Sequence, residues 1–171
     1  MINVVLFEPE IPQNTGNIMR TCMAFGMNLH IIEPMGFSLD EKHLKRAGMD
    51  YIKKLDYRLY KNYDEFKALN PGRYVCFSRY GMHTFDKCDF TTTPDGVNIY
   101  LIFGKESTGI PKEILRPNIE DTYRLPMRGD ARSLNLSNCV AIGAYEALRQ
   151  LGHVGLSDVE VFKGADWLLK D

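Results

Sequence analysis

The strongest constraint on the fold is a unit that recurs along the chain. A short, unbroken apolar run ends at a proline, glycine or serine and is followed by a helical pattern. "INVVLFEP" is the first, a β-branched-rich run that reads as a buried strand. "NTGNIMRTCMAF" follows as a helix, with Asn14 or Thr15 the expected cap and Gly26 the expected stop. "NLHIIEP" is a second strand, "RYVCFS" and "NIYLIFG" are buried strands, and "DTYRLPM" is a short one. "YDEFKAL" and "PKEILRP" read as short helices, and residues 135–151 as the long helix. "YIKKLDYRLY" alternates weakly, as an edge strand does, while Ser38 and Glu41 fit a capping box. Strands alternating with helices at this spacing predict an α/β domain on a mainly parallel sheet flanked by helices. One domain is expected over residues 1–171: a core at 1–155 and an extension at 156–171, either loose or a small docking segment.

Charge narrows function more than fold. Lys plus Arg number 21 against 22 Asp plus Glu, a net charge of −1. That argues against a histone-like or tail-driven nucleic-acid binder and leaves room for a local basic patch. Cys22, Cys76, Cys88 and Cys139 are far apart with no C-x-x-C pair, so neither zinc nor redox chemistry is expected. Three of them sit in apolar runs, as small buried thiols do. The amino-terminal apolar run is too short for a signal sequence, and no stretch approaches the length of a membrane span. A reduced, cytoplasmic protein is expected.

In open α/β sheets ligands collect at the carboxyl ends of the strands, which directs attention to the loops after "INVVLF", "RYVCF", "NIYLIF" and "DTYRL", three of them polar and glycine-bearing. In "PEIPQNTGNIMRT" two prolines stiffen the chain, Gly16 allows close approach, and Arg20 is expected one turn into the helix. Arg20 is either a solvated charge or a fixed guanidinium able to hold a phosphate. "FGKESTGIP" carries Gly104 and Gly109 but is neither a Walker A loop nor a dinucleotide fingerprint. A tight turn explains its glycines, with Gly109 at positive φ, but not Glu106, whose carboxylate could tie backbone amides together.

The third loop opens "RGDARSLNLSNCVAIGAYEALRQ", residues 128–150. Asn135 or Ser137 can cap the helix, and one or two such caps, worth about 1 kcal/mol each, suffice. The excess of hydrogen-bonding groups points to a site at the exposed amides. Along the helix Leu136, Val140, Ala144 and Leu148 make one apolar stripe, and Cys139, Ile142 and Tyr145 a second. One stripe can meet the sheet and the other a second protomer. Gly143 costs roughly 1 kcal/mol mid-helix, which close helix approach could offset.

In order, "NTGNIMRT", "FGKESTGIP" and "RSLNLSNCVAIGAYEA" resemble the three motifs of the SpoU branch of the SPOUT methyltransferases, over about residues 1–155. The resemblance implies an α/β fold with a deep carboxyl-terminal trefoil knot, which the general avoidance of knots would have rejected. It also implies S-adenosylmethionine as cofactor, bound through Phe77, Gly104, Leu125, Met127, Ser133 and Leu134, with Glu106 and Asn135 bracing the loops. By the same resemblance Arg20 serves the catalytic step, Asn14 positions Arg20 or the substrate, and Tyr145 lines the substrate side. No metal is implied.

The family further implies a homodimer and an RNA substrate, methylated on a ribose 2′-oxygen. No extra amino-terminal RNA-binding domain is evident, which favours the wobble cytidine or uridine of a tRNA anticodon loop. "KHLKRAG" and "YIKKLDYRLYK" are candidate basic surface. The alternatives are a 2′-O-methyltransferase for rRNA or another tRNA position, and a non-catalytic RNA-binding module on the same fold. A flavodoxin-type nucleotide binder needs an early phosphate loop, and "EPEIPQNTGN" is a poor one.

Overall fold

A computed structural model describes residues 1–38 and 55–170. One sheet holds β1 (Ile2–Phe7), β2 (Asn28–Ile32), β3 (Tyr57–Tyr60), β4 (Arg73–Phe77), β5 (His83–Thr84), β6 (Ile99–Gly104) and β7 (Thr122–Arg124). Their order is β3-β2-β1-β6-β4-β7-β5. Every pairing among them is parallel, so the carboxyl ends of all the strands lie along one rim. From β1 the chain moves outward to β2 and β3, then returns to build the other half from β4. The change of direction falls between β1 and β6, where such sheets open a crevice.

Four α-helices are described: α1 (Pro12–Phe25), α2 (Tyr63–Leu69), α3 (Lys112–Leu115) and α4 (Leu136–Gln150). β1 and β6 are buried along their whole length, because both faces of the sheet are covered. Val4, Leu6, Leu101 and Phe103 meet Ile18, Met19 and Cys22 of α1 and Val140, Ala144 and Leu148 of α4. Val5, Phe7, Tyr100 and Ile102 face Phe66 of α2 and Ile114 of α3. Cys22, Cys76 and Cys88 are buried free thiols, and Cys139 is half-buried. Burial pushes the Cys22 and Cys76 thiols up to about 12, so both stay protonated at neutral pH.

Several expectations change in detail. α1 begins at Pro12, ahead of Asn14 and Thr15, with Ile11 as its N-cap and no side-chain cap bond. Proline at the start needs no amide partner, and a distant carboxylate serves the amides just before it, as described below. Arg20 therefore lies eight residues past the first turn residue, about 12 Å along the axis rather than one turn in. β5 was not foreseen; two residues long, it exists through its pairing with β7 at the sheet edge. β3 does form the opposite edge, over the second half of "YIKKLDYRLY". Glu41, and with it the capping box, and "KHLKRAG" lie outside the described residues.

Gly143 meets the sheet, not another helix. A Cβ there would stand 2.9 Å from Phe77 Cζ and 3.0 Å from Phe103 Cζ, two rings stacked at 4.3 Å. Val140, Ala144 and Leu148 of the first apolar stripe of α4 are buried and Leu136 half-buried, whereas Ile142 and Tyr145 of the second are 46 % and 52 % exposed. Beyond Leu156, which packs on the core, residues 157–170 are mostly exposed and end in a short turn at Trp167–Leu169.

Candidate active site

The three polar loops leave adjacent parts of one rim. β1 and β6 are hydrogen-bonded neighbours, with Phe7 opposite Gly104, so the first two loops start side by side. Gly104 has φ +106°, and a Cβ on it would lie 2.5 Å from the Phe7 carbonyl oxygen; only glycine lets the strands end this close. Glu8 follows at φ +44°, a region uncommon for a residue with a side chain. Its carboxylate meets Lys105 Nζ at 2.7 Å, so the charge that Lys105 brings to the second loop is paired within the rim.

Glu106 reaches across to the first loop. Its carboxylate accepts the backbone N–H of Glu10 at 2.9 Å and of Ile11 at 3.3 Å, and the Asn14 side-chain amide at 3.1 Å. Glu10 answers in the other direction, accepting the backbone N–H and the hydroxyl of Ser107, each at 2.8 Å. Those two bonds hold the Glu10 carboxyl below the usual carboxylate range. Two carboxylates thus clasp opposite loops in place of a local helix cap.

The third loop joins through the same asparagine. Asn14 Oδ1 accepts Asn135 Nδ2–H at 2.9 Å, and Asn135 Oδ1 accepts the backbone N–H of Ser137 at 2.9 Å and its hydroxyl at 2.6 Å. Asn135 is the N-cap of α4. A continuous hydrogen-bond chain therefore runs Glu106–Asn14–Asn135–Ser137, with Asn14 buried at its centre. To reach that position, residues 125–135 carry the backbone from β7 back to α4, which lies against α1, β1 and β6. Along this segment Leu125 and Met127 are half-buried, and Ser133 and Leu134 exposed.

The expected site residues fall into two groups. Asn14, Gly104, Glu106, Asn135 and the segment bearing Leu125, Met127, Ser133 and Leu134 meet at the rim. Phe77 ends β4 on the same rim, but its ring is in the core between Phe103 and Phe85, leaving its backbone to the loop side. Arg20 is exposed on α1, and the Asn14 side chain bonds Glu106 and Asn135. Tyr145 is ten residues beyond Asn135, about 15 Å of helix rise, beside Phe25 and His153. Within one chain it is not part of the loop cluster. The loop after β4, residues 78–82, shares the rim; sequence reasoning pointed to it by its place after "RYVCF" but assigned a role only to Phe77, and to none of Arg79, Tyr80 and Met82.

The model of the SpoU rRNA Methylase family matches residues 1–145. The tRNA (cytidine(34)-2'-O)-methyltransferase of Escherichia coli (strain K12) is 46 % identical over 157 residues, covering 91 % of this chain and 97 % of that protein. A structure solved for insight into 2-OH methylation of C/U34 on tRNA superposes with TM-score 0.80 at 43 % identity, over 89 % of this chain and 97 % of its own. The SpoU methyltransferase AviRb of Streptomyces viridochromogenes gives TM-score 0.74 at 24 % identity over 89 % of this chain and 60 % of its own, a likeness of fold. With these goes the architecture expected above, the α/β SPOUT fold with its carboxyl-terminal knot. The chain belongs to the SpoU rRNA methylase family.

Proposed function

We propose that this protein is an S-adenosylmethionine-dependent tRNA ribose 2′-O-methyltransferase acting on the wobble cytidine or uridine of the anticodon loop. The observation that carries the reading is the Glu106–Asn14–Asn135–Ser137 chain, which closes the three family-motif loops into one rim. Likeness to proteins named for methylation at nucleotide 34, over nearly their whole length, supports the position.

The residues at the rim suit the cofactor. Gly104 ends β6 close against β1, and beside it Leu125, Met127 and Leu134 offer partly covered apolar surface for an adenosyl group and a thioether. When bound, S-adenosylmethionine supplies an activated methyl group on a sulfonium. Phe77, Gly104, Leu125, Met127, Ser133 and Leu134 would hold it, and Glu106 and Asn135 would keep their loops in register. The ribose hydroxyl gives up its proton to solvent water as it attacks, and its ordinary pKa is far above neutrality, so positioning and a positive neighbour lower the barrier. Arg20 is that neighbour. A guanidinium is effectively always protonated, so it orients the hydroxyl and stabilises the developing oxyanion rather than acting as a base. Asn14 acts by holding the loop from which α1 departs.

The strip of Cys139, Ile142 and Tyr145 on α4, extended by Phe25 of α1 against Tyr145, supports a homodimer that covers it. A substrate-side role for Tyr145 then requires a rim contributed by the partner. A tRNA substrate makes the cytoplasm the site of action; among the described residues no helix is long and apolar enough to cross a membrane.

Mass spectrometry of tRNA nucleosides from a strain lacking the protein tests the reading. Loss of 2′-O-methylation at position 34 is expected; an unchanged position 34 with loss elsewhere in tRNA or rRNA would replace the substrate.

A further inference from the structure

A fourth segment stands on the rim beside the three loops. Residues 78–82 follow β4, the strand between β6 and β7, and so emerge between the second and third loops. The segment is anchored from below. Ser78 N–H donates to the Tyr123 carbonyl at 2.9 Å, and Gly81 N–H closes the turn on the Ser78 carbonyl at 3.1 Å. Ser78 Oγ accepts Tyr80 N–H at 3.2 Å. Gly81 is pressed on β7 so closely that a Cβ would lie 2.5 Å from the Tyr123 carbonyl carbon and 2.7 Å from the Arg124 amide nitrogen. The turn cannot sink further into the protein.

Its side chains therefore point outward. Tyr80 is 70 % and Met82 74 % exposed, and the Arg79 guanidinium carbon lies 5.3 Å from the centroid of the Tyr80 ring. The guanidinium lies over the ring and favours this orientation by about 0.5–1 kcal/mol, while much of the phenol stays uncovered. Arg124, directly beneath Gly81, is also exposed. Among the described residues no carboxylate pairs with Arg79 or Arg124. On a chain of net charge −1, Arg79 over an exposed aromatic ring, with Arg124 exposed on the strand below and neither paired to a carboxylate among the described residues, is a local excess of positive charge. The core gains nothing from Tyr80. Ring plus cations on a rigid turn is the arrangement that holds an unstacked base and its phosphates.

We infer that Tyr80, oriented by Arg79, is a stacking shelf for an anticodon-loop base next to the reacting ribose, with Arg79 and Arg124 facing the adjoining phosphates. The inference rests on the tRNA reading above and assigns to one turn the recognition of the unpaired strand. Tyr80 acts by stacking, so its aromatic ring matters and its hydroxyl does not.

The test uses the full-length protein, unmodified tRNA, and an anticodon stem-loop RNA with 2-aminopurine beside nucleotide 34. Tyr80→Ala should raise KM for tRNA about tenfold, keep kcat within about twofold, and leave S-adenosylmethionine affinity by calorimetry unchanged. It should also abolish the fluorescence quenching that wild type imposes on bound 2-aminopurine. Tyr80→Phe and Tyr80→Trp should restore both readouts, and Arg79→Ala should flatten the salt dependence of RNA binding. Unchanged KM and quenching in Tyr80→Ala would overturn the shelf. So would dissociation of a wild-type dimer by that substitution in sedimentation, which would make the turn a protein contact. Quenching by a wild-type protein that transfers no methyl group to any tRNA would instead sink the proposed activity and leave the shelf standing.

Discussion

Gly143 lies directly beneath Phe77: a β-carbon at 143 would approach Phe77 Cζ to 2.9 Å, with the ring fixed against Phe103 at 4.3 Å. The long helix is seated on the sheet at the depth this glycine permits. Gly143→Ala should therefore destabilise the fold by about 1–3 kcal/mol through overpacking, against a gain of roughly 1 kcal/mol in helix propensity. Thermal unfolding measures the net sign. A more stable Gly143→Ala protein would mean that the two rings yield freely.

Asn14→Ala removes the donor to Glu106 and the acceptor for Asn135 at once. A loss of about 1–3 kcal/mol is expected by chemical denaturation, since two part-buried bonds are lost and one of them is to a carboxylate. Asn14→Asp should fare worse at neutral pH, because it sets a second carboxylate against Glu106. Its deficit should shrink as the pH falls toward 4 and one of the pair takes up a proton. Equal behaviour of the two variants would show that the Glu106 contact contributes little.

Arg20→Ala should abolish methyl transfer from labelled S-adenosylmethionine to unmodified tRNA while calorimetry still detects cofactor binding. Full activity in this variant would remove Arg20 from the mechanism. Loss of cofactor binding would reassign it to holding the rim.

His30 is buried among Tyr60, Phe66 and Tyr100, and its Nδ1 lies 2.8 Å from the Tyr60 hydroxyl. Tyr60 donates to Asn70 Oδ1, so its oxygen accepts from His30, which leaves Nε2 as a bare acceptor without a partner among the described residues. Burial, with the Arg58 charge adding to it, pushes the imidazole down to about 4 from an ordinary 6.5. Between those values the unfolded chain binds a proton that the folded one refuses. Stability should thus fall as pH drops from 6.5 toward 4, by up to about 3 kcal/mol. Denaturant midpoints at pH 7 and pH 5 measure the slope, and His30→Gln should flatten it. An unaltered slope in that variant would assign it to carboxylates.

Ile142→Glu places a charge in the middle of the exposed strip on α4 and should yield monomers in sedimentation velocity, with the far-ultraviolet spectrum unchanged. A wild-type protein that is itself monomeric at micromolar concentration would end the dimer proposal.

What could be read in advance was whatever is encoded within a few residues. Buried strands, the αL stop at Gly26 and the turn at Gly109 follow from local side-chain chemistry, and the structure has both glycines at positive φ. The start of α1 was misplaced because its supporting acceptor, Glu106, comes from 96 residues away, where no local pattern can register it. β5 owes its existence to β7 rather than to its own two residues. Gly143 announced that something comes close without saying what: the partner is a pair of rings on strands. The polar surplus before α4 was legible as a surplus; its use, joining loops 121 residues apart, needed the folded chain.

The clasp between the loops also sets an order of assembly. The first two loops can lock through Glu106 once residue 106 has been synthesised, while Asn14 still lacks its second partner. That partner arrives only when residues 125–135 have crossed back over the sheet and α4 has docked. A chain that stops short of Asn135 lacks the tie to Asn14 and the helix that covers β1 and β6, so its rim is open. A ligand that needs all three loops therefore meets a finished rim only after α4 has docked.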